Sequence, residues 1–216
     1  AQRDAIEAGH APGPRMMVVE AQTTIAGGDL DPSQLDVRDV VEPFVANRGT
    51  CSGVEDCVKA VREEERRGAG VIKLRQSGIA ASTPGVEMAE RPEEIRAVID
   101  TAHRLGKKVA VHVVGPGPFL RLAIEAGADT VEHGPLDDAA IALMAARKTC
   151  YVPTLGAARA IHYRYDEAVE MLGRAWRAGV PICFGTDLGI VSVDKSHEEF
   201  GFMASSGMPV EAILRA

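Results

Sequence analysis

Ile182-Cys183-Phe184-Gly185-Thr186-Asp187-Leu188-Gly189 reads as a short apolar strand running into a Gly-Thr-Asp-Leu-Gly turn, which sets one carboxylate at the strand's C-terminal tip. Three earlier runs end in the same manner. Val71-Ile72-Lys73-Leu74 delivers a lysine, Val109-Ala110-Val111-His112-Val113 a histidine, and Thr130-Val131-Glu132-His133-Gly134 a second histidine. Each of the four runs follows an amphipathic helix through a glycine-bearing junction: Gly68-Ala69-Gly70, Leu105-Gly106-Lys107, Ala126-Gly127-Ala128 and Ala178-Gly179-Val180. A glycine there suits the left-handed cap that ends a helix and turns the chain into the next strand. Helices alternating with short apolar strands imply parallel strands joined by right-handed crossovers, so the fold class is α/β.

Six strands are expected: Met16 to Ala21, Val71 to Leu74, Val109 to Val113, Thr130 to His133, Cys150 to Thr154 and Ile182 to Gly185. A closed (β/α)8 TIM-type barrel needs eight. Alternation within the strands favours a barrel wall. Val109 and Val111 would face the helices while Ala110 and His112 face inward, and Ile182 and Phe184 face out while Cys183 and Gly185 face in. The expectation is one domain over residues 1–216, an incomplete barrel comprising strands 3 to 8 of eight.

Upstream, residues 1 to 9 read as a helix closed by Gly9, with Pro12-Gly13-Pro14 barring continuation. Residues 25 to 32 read as a glycine-containing loop, and residues 30 to 53 lack clear periodicity. From Val54 to Arg67, valines at helical spacing alternate with charges, giving an amphipathic helix whose charge run is its solvated face. Pro92 to Leu105 is a second, opened by proline and two glutamates at the positive end of the helix dipole.

The 216 residues are 46% hydrophobic and 25% charged, enough to bury a substantial core. A net charge of -7 with no clustered basic residues excludes a nucleic-acid footprint. No apolar run approaches a membrane span, and residues 1 to 20 lack the apolar centre of a signal peptide, so a cytoplasmic location is expected. Cys51, Cys57, Cys150 and Cys183 form no tight ligand pattern and read as free thiols, two of them buried in strands.

Reactive groups of parallel α/β folds gather at the C-terminal ends of the strands, where Lys73, His112, His133 and Asp187 all lie. Two histidines with an aspartate in register make a metal site, suited to zinc, manganese or a similar divalent ion. The lysine is the odd member, because an ammonium repels a cation. It serves either as a Schiff-base nucleophile with a depressed pKa or, carboxylated by carbon dioxide, as an anionic bridge between two ions.

Lys73, His112, His133 and Gly185-Thr186-Asp187, in this order on successive strands, resemble the amidohydrolase superfamily, specifically its imidazolonepropionase-like and prolidase-like members. The likeness extends through Arg3 to Gly9, Pro12-Gly13-Pro14-Arg15, Glu94 to His103 and Val152-Pro153-Thr154. It implies that Lys73 is carboxylated, that Lys73, His112 and His133 bind metal, and that Asp187 is both ligand and general base. One or two ions, zinc foremost, would activate a hydroxide against the carbonyl of an amide, peptide or cyclic amide. The substrate would be a small peptide-like or N-acyl compound.

The departures bear on the same site. The family's first strand carries His-x-His, which occurs nowhere in the 216 residues, so the chain reads as an internal fragment. Many relatives carry Gly-Gly-His where Gly27-Gly28-Asp29 stands here, and some carry a tyrosine at the position of Val114. Both changes touch the expected substrate pocket, as do Arg75, Gln76 and Ser77 after Lys73. His162 reads as a surface helix start, with substrate contact as the alternative, His197 as part of a helical His-Glu-Glu that lacks the paired histidine of a metalloprotease helix, and His103 and His10 as structural. The rival readings are a Schiff-base aldolase or lyase using Lys73, and a catalytically incompetent fragment. The latter would persist by pairing exposed strand edges, near Met16 to Ala21 and Ile182 to Gly185, with another copy in a homo-oligomer or with a missing segment.

Overall fold

The computed structural model describes residues 2–25, 49–75, 91–113, 117–134 and 136–216. Six parallel strands form one sheet: β1 (Gln22–Ile25), β2 (Thr50–Cys51), β3 (Val71–Arg75), β4 (Lys108–Val113), β5 (Thr130–His133) and β6 (Cys150–Val152), in the order β2-β1-β3-β4-β5-β6. Helices α1 (Gln2–Glu7), α2 (Val54–Arg66), α3 (Pro92–Arg104), α4 (Gly117–Ala126), α5 (Asp138–Arg147), α6 (Leu155–Ala160), α7 (Tyr165–Arg177), α8 (Glu198–Ser205) and α9 (Val210–Ile213) complete the described elements, with a short 3-10 turn at Val193–Lys195. No helix among the described residues is long and apolar enough to cross a membrane.

Alternation decides which face is sealed. Ile72 and Leu74 of β3, Val109, Val111 and Val113 of β4, and Val131 of β5 are fully buried. They join one core with Val61 of α2, Ile95, Val98 and Ile99 of α3, Leu120 and Ile124 of α4, and Met144 of α5. The residues between them, Lys73, Arg75, Ala110, His112 and Glu132, stay half-buried on the other face. A parallel arc with helices packed against its apolar side and polar residues inside is the wall of an incomplete (β/α) barrel. Burying a Val or Ile side chain contributes roughly 1.5–3 kcal/mol, so the register is set strongly by this apolar set.

Helices α2 and α3 and strands β3 to β5 fall where their periodicity places them. The sheet's two margins do not. Met16 to Ala21, expected as a strand, has no strand structure: Met17 is 63% exposed, the Val18 carbonyl accepts the Gly70 N–H, and the Ala21 N–H goes to the Glu64 carboxylate at 2.6 Å rather than to a neighbouring strand. The strand is instead Gln22–Ile25, whose buried Thr23 and Thr24 read as polar. Ile182 to Gly185 pairs with β6 through a single bridge, Tyr151 to Ile182, since Cys183 N–H reaches the Tyr151 carbonyl and the chain then turns away. Among the described residues the edges are therefore Thr50–Cys51 and the Ile182 bridge.

The cysteines are not free thiols. Cys51 bonds to Cys57 and Cys150 to Cys183. In the second pair, β6 and the Ile182 segment are neighbours and bring the Cα atoms to 5.9 Å, within disulfide reach although 33 residues separate them in sequence.

Candidate active site

The strand tips open onto a cavity of about 470 Å³ lined by all four residues singled out from sequence: Lys73, His112, His133 and Asp187. Register explains the convergence. Arg75 pairs with His112, and Val113 with His133, so adjacent strands present their side chains at one level. The two imidazoles meet edge to face with centroids 4.7 Å apart. His133 Nε2 lies 4.0 Å from Asp187 Oδ2.

Three residues around this site take left-handed backbone conformations without being glycine: His133 at φ 69°, Thr154 at φ 47° and Asp187 at φ 54°. At His133 this breaks the strand's two-residue alternation, and both Glu132 and His133 line the cavity. The Glu132 carboxylate consequently forms an ion pair with Lys73 Nζ. A strict alternation sends one of the two outward, so a period-two pattern does not place both Glu132 and His133 in the cavity. Thr154, part of a recognisable Val-Pro-Thr run, places Oγ1 2.6 Å from His133 Nδ1. Buried Tyr151 donates its hydroxyl to the His133 carbonyl at 3.2 Å. Arg75 Nη2 lies 3.4 Å from His112 Nε2 and its Nη1 donates to Gln22 Oε1 at 3.3 Å.

Burial sets the charge states. It pulls the Lys73 ammonium down to about 8, aided by Arg75 and opposed by Asp187. Burial, with Arg75 and His133 alongside, lowers His112 to about 2. Burial likewise lowers His133 to about 4 against the pull of Asp187. Both imidazoles are therefore neutral at pH 7, the form in which they can donate a lone pair to a cation.

The donors fit a divalent ion in part. Two neutral imidazoles and a carboxylate are suitable ligands, but among the described residues no three His, Cys, Asp or Glu side chains gather closely enough to hold an ion. Lys73 and Arg75 add positive charge beside them. Carboxylation of Lys73 would remove one of those charges and supply the missing oxygen donor.

The other residues singled out from sequence fall into several places. Arg75 lines the cavity. Gln76, Ser77, Gly27-Gly28-Asp29 and Val114 lie outside the described residues. His162 is exposed on the turn between α6 and α7. His103 contacts Asp129 at 2.9 Å on the helical layer, and His10 is exposed. His197 is the N-cap residue of α8, and the functional interest of that segment lies two residues on, in Glu199.

The amidohydrolase family model matches residues 1–216. An uncharacterised protein of Mycobacterium tuberculosis is 36% identical over 176 residues, 73% of this chain and 47% of that protein. Ochratoxinase of Aspergillus niger is 28% identical over 183 residues, 76% of this chain and 38% of its own length. The crystal structure of a Xaa-Pro dipeptidase with bound methionine superposes with a TM-score of 0.83 at 31% identity, over 98% of this chain and 57% of that one. A. niger ochratoxinase superposes at 0.83 with 28% identity, over 99% and 55%. A prolidase complexed with N-methylphosphonate-L-proline superposes at 0.78 with 29% identity, over 98% and 57%. The chain spans about half, or less, of the length of the curated relatives it matches.

Proposed function

The chain belongs to the amidohydrolase family, and from that premise we propose that it is a metal-dependent hydrolase of amide C–N bonds in small peptide-like or N-acyl compounds. Lys73, His112, His133 and Asp187 hold the ion in this reading, zinc in the first instance and one or two in number, with Lys73 carboxylated. The observation that carries it is the gathering of these four side chains in one cavity, with both imidazoles neutral. The ion, when bound, would polarise the scissile carbonyl and lower the pKa of the attacking water.

The residues of the chain do the rest. Asp187, 40% exposed at the cavity mouth, is placed to take the proton of the attacking water and return it to the leaving nitrogen. Arg75 and Arg164 line the same cavity and would orient a carboxylate or carbonyl. Pro153, Ala157, Ile161, Met171 and Leu188 supply an apolar wall for one side chain of the substrate. The relatives described as Xaa-Pro dipeptidase, prolidase and ochratoxinase support an amide substrate of this size.

A Schiff-base reading has one observation in its favour, the Lys73 amine drawn down to about 8. The test is metal content by plasma mass spectrometry together with hydrolysis of a panel of dipeptides and N-acyl amino acids. Bound zinc lost in a His112→Ala, His133→Ala double variant, and turnover abolished by chelation and restored by Zn2+, are expected. Turnover indifferent to chelation would overturn the metal reading, and borohydride trapping of substrate on Lys73 would replace it. Ion bound without turnover of any amide would mark a catalytically incompetent chain. The cytoplasmic location expected from the sequence stands against the two disulfides, which persist in oxidising compartments. Thiol titration before and after reduction settles which holds.

A further inference from the structure

Helix α6 begins at Leu155, directly after Thr154, and its first turn must find acceptors for its free N–H groups. Threonine at that position ordinarily supplies its own hydroxyl as the cap. Here it does not: Thr154 makes no side-chain capping bond, and its Oγ1 is turned to His133 Nδ1 at 2.6 Å. Its carbonyl takes the N–H groups of Ala157 and Ala158. The two N–H groups left over, those of Leu155 and Gly156, donate at 2.9 and 2.7 Å to the two carboxylate oxygens of Glu199, which reaches across from α8.

Glu199 is 2% exposed, and these two N–H groups satisfy its carboxylate. A buried carboxylate is costly without such partners, so its presence beside Leu155 and close to Val191 and Phe202 calls for a reason. We propose that Glu199 is a positioning residue for His133: by capping α6 it releases the Thr154 hydroxyl, which accepts the Nδ1–H of His133 and leaves the Nε2 lone pair directed at the cavity beside Asp187. The tautomer of a ligating imidazole is set by the bond its other nitrogen makes. A side chain 44 residues from the α6 N-terminus thus fixes which nitrogen of His133 is available.

This inference rests on His133 being a ligand, as proposed above, and its test separates the two ideas. Long-range 15N NMR of the His133 ring, in the ion-free chain, reads the tautomer whether or not any metal binds. Wild type is expected as the Nδ1–H form. Glu199→Gln, which offers one acceptor oxygen for two N–H groups, is expected to draw Thr154 back toward its helix and mix the tautomers. Thr154→Val is expected to do the same, Thr154→Ser to restore wild-type behaviour, and Glu199→Gln to add nothing in the Thr154→Val background. If Glu199→Gln does not fold, Glu199→Asp replaces it, keeping the charge but drawing the carboxylate back by one methylene, with the same outcomes. Zn2+ affinity should fall about tenfold to a hundredfold in the same variants. A His133 ring unchanged by substitution at 199 overturns the proposal, as do tautomer shifts from Glu199 and Thr154 that simply add. A tautomer that responds as expected in a chain that binds no zinc in any form would leave the positioning role standing and remove the metal reading instead.

Discussion

Two junctions on opposite sides of the sheet are built from the same parts. At the β2–α2–α3 junction, Glu94 accepts the N–H groups of Gly53 and Arg91, and a disulfide joins Cys51 to Cys57. At the β6–α6–α8 junction, Glu199 accepts those of Leu155 and Gly156, and a disulfide joins Cys150 to Cys183. The first is the more local in two of its parts: Glu94 lies in the first turn of the helix it caps, three residues from Arg91, and its cysteines are six residues apart, while its bond to Gly53 spans 41 residues. The second brings its parts from 44 and 33 residues away. The local junction closes a helix and touches none of the candidate ligands. The remote one holds Thr154 against His133 and, through Cys183, the segment that ends in Asp187. It is the longer disulfide loop that lies beside the chemistry.

The disulfides should show the largest contrast. In the chain-entropy account, closing a 33-residue loop restrains the unfolded chain by about 4 kcal/mol and a six-residue loop by about 2 kcal/mol. A Cys150→Ala, Cys183→Ala variant should therefore lose about twice the stability of a Cys51→Ala, Cys57→Ala variant in urea denaturation. Equal losses would break the contrast. Next come the caps. Glu199→Ala strands two buried N–H groups and should cost about 3 kcal/mol. Glu94→Ala, whose partners water can reach, should cost about 1 kcal/mol. Only the former should alter hydrolysis.

Acid gives the finest discrimination. His133 is held near 4, whereas the unfolded chain takes up a proton on that ring from about pH 6.5 downward. The unfolded state thus binds more protons between those values, and stability falls as pH drops through the window. His112, held lower still, contributes over the same window, so His133→Ala should about halve the slope there, and amide exchange in α6 should quicken in acid before that in α3. Parallel quickening at both helices would mean that the α6 junction is not tied to His133.

The same contrast governs what the sequence discloses. Half of the role of Glu94 is legible, because the Arg91 N–H lies three residues away within the reach of a helix-start pattern, while its bond to Gly53, 41 residues away, is not. Lys73, His112, His133 and Asp187 are legible because each lies at or just beyond the C-terminal end of a short apolar run that is recognisable without its neighbours. Glu132, Thr154 and Glu199 are not, since each acquires its role from an element that folding brings alongside. The strands divide similarly. β3, β4 and β5 carry apolar residues on their helix-facing side, whereas β1 buries threonines and β2 has two residues, so neither offers a period to read. Met16 to Ala21 carries a strand's composition with no core to pack against.

For a protein engineer, the left-handed backbones of His133, Thr154 and Asp187 define a hazard. Such conformations cost non-glycine residues on the order of 1 kcal/mol or more each, so glycine at any of the three positions would relax the chain. A laboratory selection that rewards thermal resistance alone would find those exchanges readily. It would be rewarded first for deleting the imidazole, the hydroxyl and the carboxylate that give the cavity its chemistry, and screening for survival and turnover together is what would keep them.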